Sequence, residues 1–102
     1  MFGYEILDTA NNGLEAIQKY KSFKNKPDII IMDYRMPLKN GIEATKEIMQ
    51  INSHSIFIFA SADSTVREAV FSMGVKFFIE KPFDIDVLID IIQQASKVQI
   101  VG

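Results

Sequence analysis

Residues 28–32 read Asp28-Ile29-Ile30-Ile31-Met32, an apolar run with no polar alternation. A run of this kind suits a strand buried on both faces of a parallel sheet. Asp33 follows it directly, and residues 33–40 form a loop holding Pro37. Two similar runs lie downstream, Ile56-Phe57-Ile58-Phe59-Ala60 and Lys76-Phe77-Phe78-Ile79, and residues 4–7 are strand-like upstream.

Helical periodicity separates these runs. Leu14, Ile17, Tyr20 and Lys21 predict a helix from 14 to about 24, broken by Asn25-Lys26-Pro27. Ile42, Thr45 and Met49, beside Ala44, Ile48 and Ile51, predict a second helix over 41–51. Val66, Ala69, Val70 and Met73 predict a third over 64–73, with Gly74 as its C-terminal cap. Asp84 caps a last helix whose apolar face is Val87, Leu88, Ile91, Ile92 and Ala95. Residues 98–102 are expected to form a short strand or a frayed tail. Asn12-Gly13-Leu14-Glu15-Ala16 and Asn40-Gly41-Ile42-Glu43-Ala44 repeat one pattern, a capping-box start used twice rather than a duplication. The order β-α-β-α-β-α-β-α implies a doubly wound α/β domain, with parallel strands and helices on both faces.

The 102 residues fit one domain, which at this size buries roughly 60–65% of its unfolded surface. Hydrophobic residues make up 48% and charged residues 24%, too apolar a balance for disorder. A net charge of −2 without a basic stripe argues against direct nucleic-acid binding. The absence of Cys removes disulfides, thiolate zinc sites and cysteine nucleophiles, and a single His, His54, excludes a histidine-rich metal site. No apolar stretch reaches 18 residues, and the N-terminus carries no secretion signal, so a cytoplasmic protein without membrane contact is expected.

In sheets of this type chemistry gathers at the carboxyl ends of the strands. The residues there are Asp8, Asp33, Ser61 and Lys81. Taken singly, each has a bland alternative: a cap, a turn residue, a solvated charge. Together, Asp33, Ser61 and Lys81 bring a carboxylate, a hydroxyl and an ammonium to one crevice. A carboxylate can take a phosphoryl group as an acyl phosphate. The hydroxyl and the ammonium can satisfy its oxygens, and phosphoryl transfer needs little beyond positioning and charge compensation.

The segments IIIMDYRMP (29–37), NGIEA (40–44), FASA (59–62) and FFIEKPF (77–83) resemble those of a receiver domain, the phosphoacceptor module of two-component response regulators. The likeness covers nearly the whole chain and implies a flavodoxin-like sheet. It implies that Asp33 accepts a phosphoryl group from a histidine kinase or phosphotransfer protein. Ser61 would then bond the phosphoryl group, Lys81 would pair with it, and Phe78 would act as an aromatic switch. It also implies magnesium held by Asp33 and the backbone carbonyl of Arg35. The signal would leave through the face formed by residues 64–73, 76–79 and 84–95.

The resemblance departs at the start. The family opens with a strand ending in two acidic residues and then a helix, whereas MFGYEILD matches the end of that helix and the second strand. Only 32 residues precede Asp33. Residues 1–102 are therefore expected to be a receiver domain incomplete at the N-terminus, with weak magnesium binding and slow phosphorylation. A missing central strand would leave a gap of about 10 Å, inviting a homodimer or strand-exchanged oligomer. The alternative function is a receiver-like interaction or dimerisation module that is not phosphorylated. An aspartyl phosphatase needs a second carboxylate two residues after the nucleophile, where Arg35 stands, and no nucleotide-binding G-x-x-x-x-G-K-[ST] occurs.

Overall fold

The computed structural model describes residues 8–35, 39–52 and 54–101, with side chains through Ser96. The expected strand at 4–7 and Pro37 lie outside the described residues. In chain order the elements are α1 (Gly13–Ser22), β1 (Ile29–Asp33), α2 (Gly41–Ile51), β2 (Ile56–Ser61), a 3-10 turn (Ser64–Val66), α3 (Arg67–Ser72), β3 (Phe77–Glu80) and α4 (Ile85–Val101). The described strands form one parallel sheet in the order β1-β2-β3. Met32 pairs with Phe59, and Phe59 with Phe78.

Alternation along the strands divides the core. Met32, Phe57 and Phe59 point to one face, where they meet Ile17 and Tyr20 of α1, Ala44 and Ile48 of α2, and Val70 of α3. Ile58, Ala60 and Ile79 point to the other, where Leu88, Ile92 and Ala95 of α4 cover them. The expected helices on both faces are present.

The expectation of burial on both faces fails for β1, since Ile31 is 46% exposed. The inward residues of α4 reach all three strands, and Ile29 of β1 packs against them, but Ile31 two residues further along β1 stays uncovered. Leu14, Ile51, Ala69 and Val87, expected on apolar faces, are also exposed. The tail expected at 98–102 is instead the continuation of α4 to Val101. The helix expected over 64–73 opens as a 3-10 turn because Asp63 accepts from the Thr65 N–H and tightens the entry.

The two Asn-Gly starts behave differently. Asn40 and Glu43 complete a reciprocal capping box on α2. Asn12 caps α1 through the Glu15 N–H, but the Glu15 carboxylate goes to Lys19, 3.0 Å away on the next turn. Glu43 has Glu47 at that spacing and is not drawn away. Helix α1 ends at Ser22, short of the expected 24. There the Lys26 ammonium takes the carbonyls of Tyr20, Lys21 and Phe23, the first of which also accepts from the Phe23 N–H. Gly74 closes the carboxyl end of α3 with a φ of 102°, as its position predicts.

A relay of hydroxyls fastens the amino end of the sheet. Ser55 Oγ donates to the Pro27 carbonyl at 2.6 Å, so Tyr20 Oη must donate to Ser55 at 2.8 Å. Thr45 Oγ1 on α2, by contrast, is buried without a partner among the described residues. An unsatisfied buried hydroxyl costs about 1–3 kcal/mol. Thr45→Val keeps the shape and removes the orphan, and should stabilise the protein by about 1 kcal/mol, seen as a melting point higher by about 4–8 °C.

Candidate functional site

The parallel register sets the site. Asp33, at the end of β1, pairs with Ala60, so Ser61 comes one position further along β2. Ser61 pairs with Glu80, and the Lys81 N–H donates to the Ser61 carbonyl at 2.9 Å. The Tyr34 N–H donates to the Ala60 carbonyl at 3.1 Å. These bonds extend the sheet by one residue and deliver all three chain segments to one end of it.

Asp33 and Lys81 meet directly: the Lys81 ammonium donates to Asp33 Oδ2 at 2.5 Å, across 48 residues of sequence. Both side chains are partly open, at 43% and 36% exposure, so an incoming group can reach the carboxylate. Asp33 Oδ1 accepts from the Arg35 N–H at 3.1 Å, which orients the carboxylate at the start of the loop. Ser61 is buried, and its Oγ accepts from the Asp63 N–H at 2.9 Å. That bond uses a lone pair and leaves the hydroxyl proton for another acceptor. The Lys81–Pro82 peptide is cis.

Gly41, at the first turn of α2, brings that helix against the end of β1. Its N–H donates to the Tyr34 carbonyl at 2.9 Å. A Cβ there would lie 2.2 Å from the Asp33 carbonyl oxygen. Only glycine permits this approach, so α2 props the residue that carries the carboxylate.

Behind Ser61 runs an aromatic row. Tyr34, Phe59, Phe78 and Phe71 follow one another with ring centroids 6.3 Å apart at each step. The Arg67 guanidinium sits 5.4 Å from the Phe71 centroid and 5.9 Å from that of Phe78, a cation–π contact with both rings.

Asp8, the fourth residue expected at a strand end, lies elsewhere in function. It pairs with Lys19 of α1 at 3.1 Å, and the Thr9 N–H together with Lys19 holds its carboxyl below the ordinary range. The donor set for magnesium is thin. Among the described residues no group of three or more His, Asp or Glu side chains converges. One carboxylate, already bonded through both oxygens, and a nearby backbone carbonyl do not make a cage for a hard divalent cation.

Sequence reasoning missed two contributors. Gly41 stood in a visible Asn-Gly start, but its contact with Asp33 is tertiary. Asp63 was legible as a cap two residues before Thr65, in Ser61-Ala62-Asp63-Ser64-Thr65. Bonds from the Thr65 hydroxyl and N–H, with attraction from Arg35 across the site mouth, hold the Asp63 carboxyl below its ordinary 3.8. A carboxyl lowered on folding stabilises above its unfolded value and loses that contribution as pH falls through the folded one. A carboxyl-carbon NMR titration should place the Asp63 midpoint below 3.8, rising toward it in Thr65→Val.

The fold and its strand-end chemistry define a class, a doubly wound domain equipped to handle phosphoryl groups. Residues 1–93 match the family model of the response regulator receiver domain, and the chain belongs to that family. It is 44% identical over 98 residues to the chemotaxis protein CheY of Thermotoga maritima, covering 93% of this chain and 79% of the relative. It is 40% identical to CheY of Bacillus subtilis over 95 residues, 90% of this chain and 77% of the relative. Among solved structures it resembles the CheX–CheY–BeF3–Mg2+ complex from Borrelia burgdorferi, with a TM-score of 0.84 and 32% identity over 90% of this chain and 70% of that one. It also resembles the response regulator TrrA of Thermotoga maritima in complex with Mg2+ and BeF, with a TM-score of 0.79 and 33% identity over 92% and 79%. The chain is thus a CheY-like receiver domain with a flavodoxin-like fold, a signalling module of two-component systems. Among the described residues no helix is long and apolar enough to cross a membrane.

Proposed function

We propose that residues 1–102 act as a cytoplasmic phosphoacceptor domain in which Asp33 takes a phosphoryl group from the phosphohistidine of a histidine kinase or phosphotransfer protein. A carboxylate oxygen of Asp33 attacks phosphorus, the P–N bond breaks, and its electron pair returns to the imidazole. The product is an acyl phosphate. Lys81 moves from the carboxylate to a phosphoryl oxygen and carries its charge compensation through the transfer. The spare Ser61 proton goes to a second oxygen, and Phe78, on the face shared with Ser61, follows that movement as the switch. The domain receives and releases phosphate slowly and turns over no other substrate.

The single observation that carries this reading is the Lys81–Asp33 contact at an open strand end. The similar CheY and TrrA structures hold Mg2+ with a beryllium fluoride. Here magnesium would rest weakly on Asp33, the Arg35 carbonyl and water, so no step above is routed through it.

A second reading, a receiver-like dimerisation module that is not phosphorylated, is supported by exposed Ile31 on β1, the end strand of the described sheet. Treatment with acetyl phosphate and magnesium, followed by intact mass and light scattering, separates the two. A gain of one phosphoryl group, absent in Asp33→Asn, supports the first. No gain, with a dimer mass at micromolar concentration, supports the second.

A further inference from the structure

The repeated Asn-Gly pairs, at 12–13 and 40–41, carry a chemistry that neither helix capping nor phosphoryl transfer uses. A main-chain nitrogen can attack the side-chain amide carbon of the asparagine before it, and glycine obstructs that attack least because it has no Cβ. Of the five asparagines, these two alone precede glycine. The reaction balances with water as its one co-reactant. The Gly13 nitrogen bonds to Asn12 Cγ and gives up its proton, and the Asn12 side-chain amine leaves as ammonia. Water then opens the five-membered imide at either carbonyl, leaving aspartate or isoaspartate at position 12.

The two sites start from equal chemistry. Each reads Asn-Gly-aliphatic-Glu-Ala, each asparagine is half-buried, and ψ is 169° at Asn12 and 172° at Asn40. Attack requires the asparagine main chain to rotate out of this extended shape, so any bond that holds the pair slows it. Three bonds hold the second site. The Glu43 N–H donates to Asn40 Oδ1 at 3.0 Å, the Asn40 N–H donates to the Glu43 carboxylate at 3.3 Å, and the Gly41 N–H donates to the Tyr34 carbonyl at 2.9 Å. The last of these ties down the nucleophile itself. Of the three, the first site keeps only the bond that the Glu15 N–H donates to Asn12 Oδ1. The Glu15 carboxylate is turned to Lys19, and among the described residues the Gly13 N–H has no acceptor. We propose that Asn12-Gly13 is a self-modification site, converting spontaneously to aspartate and isoaspartate, while the fold protects Asn40-Gly41. The products differ in consequence. Aspartate keeps the cap oxygen and adds a negative charge at a helix start, where it is favourable. Isoaspartate lengthens the main chain by one carbon beside Gly13, where even a Cβ would collide with the Lys39 carbonyl. It therefore disturbs the seat of α1 against the residues that lead into α2.

Holding the intact chain at mildly alkaline pH below its melting point, with peptide mapping by mass spectrometry over weeks, reads both sites at once. Two hydrogen bonds separate them, and each shifts an opening equilibrium by up to about tenfold, so Asn12 should react on the order of tenfold or more faster than Asn40. In urea strong enough to unfold the chain, the two rates should become equal. Glu43→Ala removes one tether from the second site and should speed reaction at Asn40 by up to about tenfold while leaving Asn12 unchanged. Asn12→Asp should melt no lower than the parent, and the separated isoaspartate form should melt below it. Equal rates in the folded chain, faster reaction at Asn40, or a ratio that survives in urea would overturn the assignment. So would a folded chain left intact at Asn12 over the period in which the unfolded chain reacts.

Discussion

The Gly41→Ala variant is expected to melt about 10–15 °C below the parent protein, a loss of about 2 kcal/mol for a domain of this size. The added Cβ would meet the Asp33 carbonyl oxygen at 2.2 Å, its carbonyl carbon at 2.9 Å and the Tyr34 Cα at 3.0 Å. All three are backbone atoms, so no side chain can swing aside. Overpacking costs about 1–3 kcal/mol, and rigid neighbours put this site at the upper end, less about 1 kcal/mol regained from helix propensity. Relief comes only by moving α2 off the end of β1, which tilts the carboxylate away from Lys81. Phosphorylation should therefore fall along with stability. Gly74→Ala is the informative contrast. Its φ of 102° is strained for alanine, but its Cβ meets nothing within 4 Å. Its cost should be confined to about 1 kcal/mol, with no loss of phosphoryl transfer.

Lys81→Met should have the opposite profile, little change in stability and a large loss of transfer. The Lys81–Asp33 pair is more than a third exposed on both sides, and pairs of that kind contribute about 0–1 kcal/mol. The melting point should move by only a few degrees. Removing the Lys81 cation aimed at the carboxylate takes away charge compensation as the phosphoryl group arrives. Losing a preorganised donor of this type costs on the order of a hundredfold or more in rate. Phosphoryl incorporation from acetyl phosphate, followed by intact mass against time, reads that ratio. A Lys81→Met protein labelled at the parental rate would falsify the assigned role of Lys81.

Much of this was legible in the chain because it depends on local rules. The runs at 28–32, 56–60 and 76–79 announce parallel strands through composition alone, and each observed strand lies one residue or less from its expected bounds. Asp33 and Lys81 could be brought together in advance because parallel strands place like ends side by side. What escaped depends on neighbours that sequence does not specify. Ile31 reads as core, yet its burial depends on whether a packed element reaches the carboxyl end of β1, and α4 touches that strand only as far as Ile29. Glu15 and Glu43 occupy the same place in the same pattern, and the residue four positions on, Lys19 or Glu47, decides which of them closes the box. The intimacy of Gly41 with Asp33 appears only when a helix and a strand are seen at contact distance.

The division of the helices, three against one, makes the two halves of the interior unequal in redundancy. The side built from α1, α2 and α3 is held by several independently anchored pieces, and loosening any one leaves the others seated. Among the described residues the opposite side leans on α4 alone, through Leu88, Ile92 and Ala95. If that helix peels back, Ile58, Ala60 and Ile79 are wetted in a single event. Hydrogen exchange is therefore expected to show this last helix, about a sixth of the chain, opening before the rest of the described core.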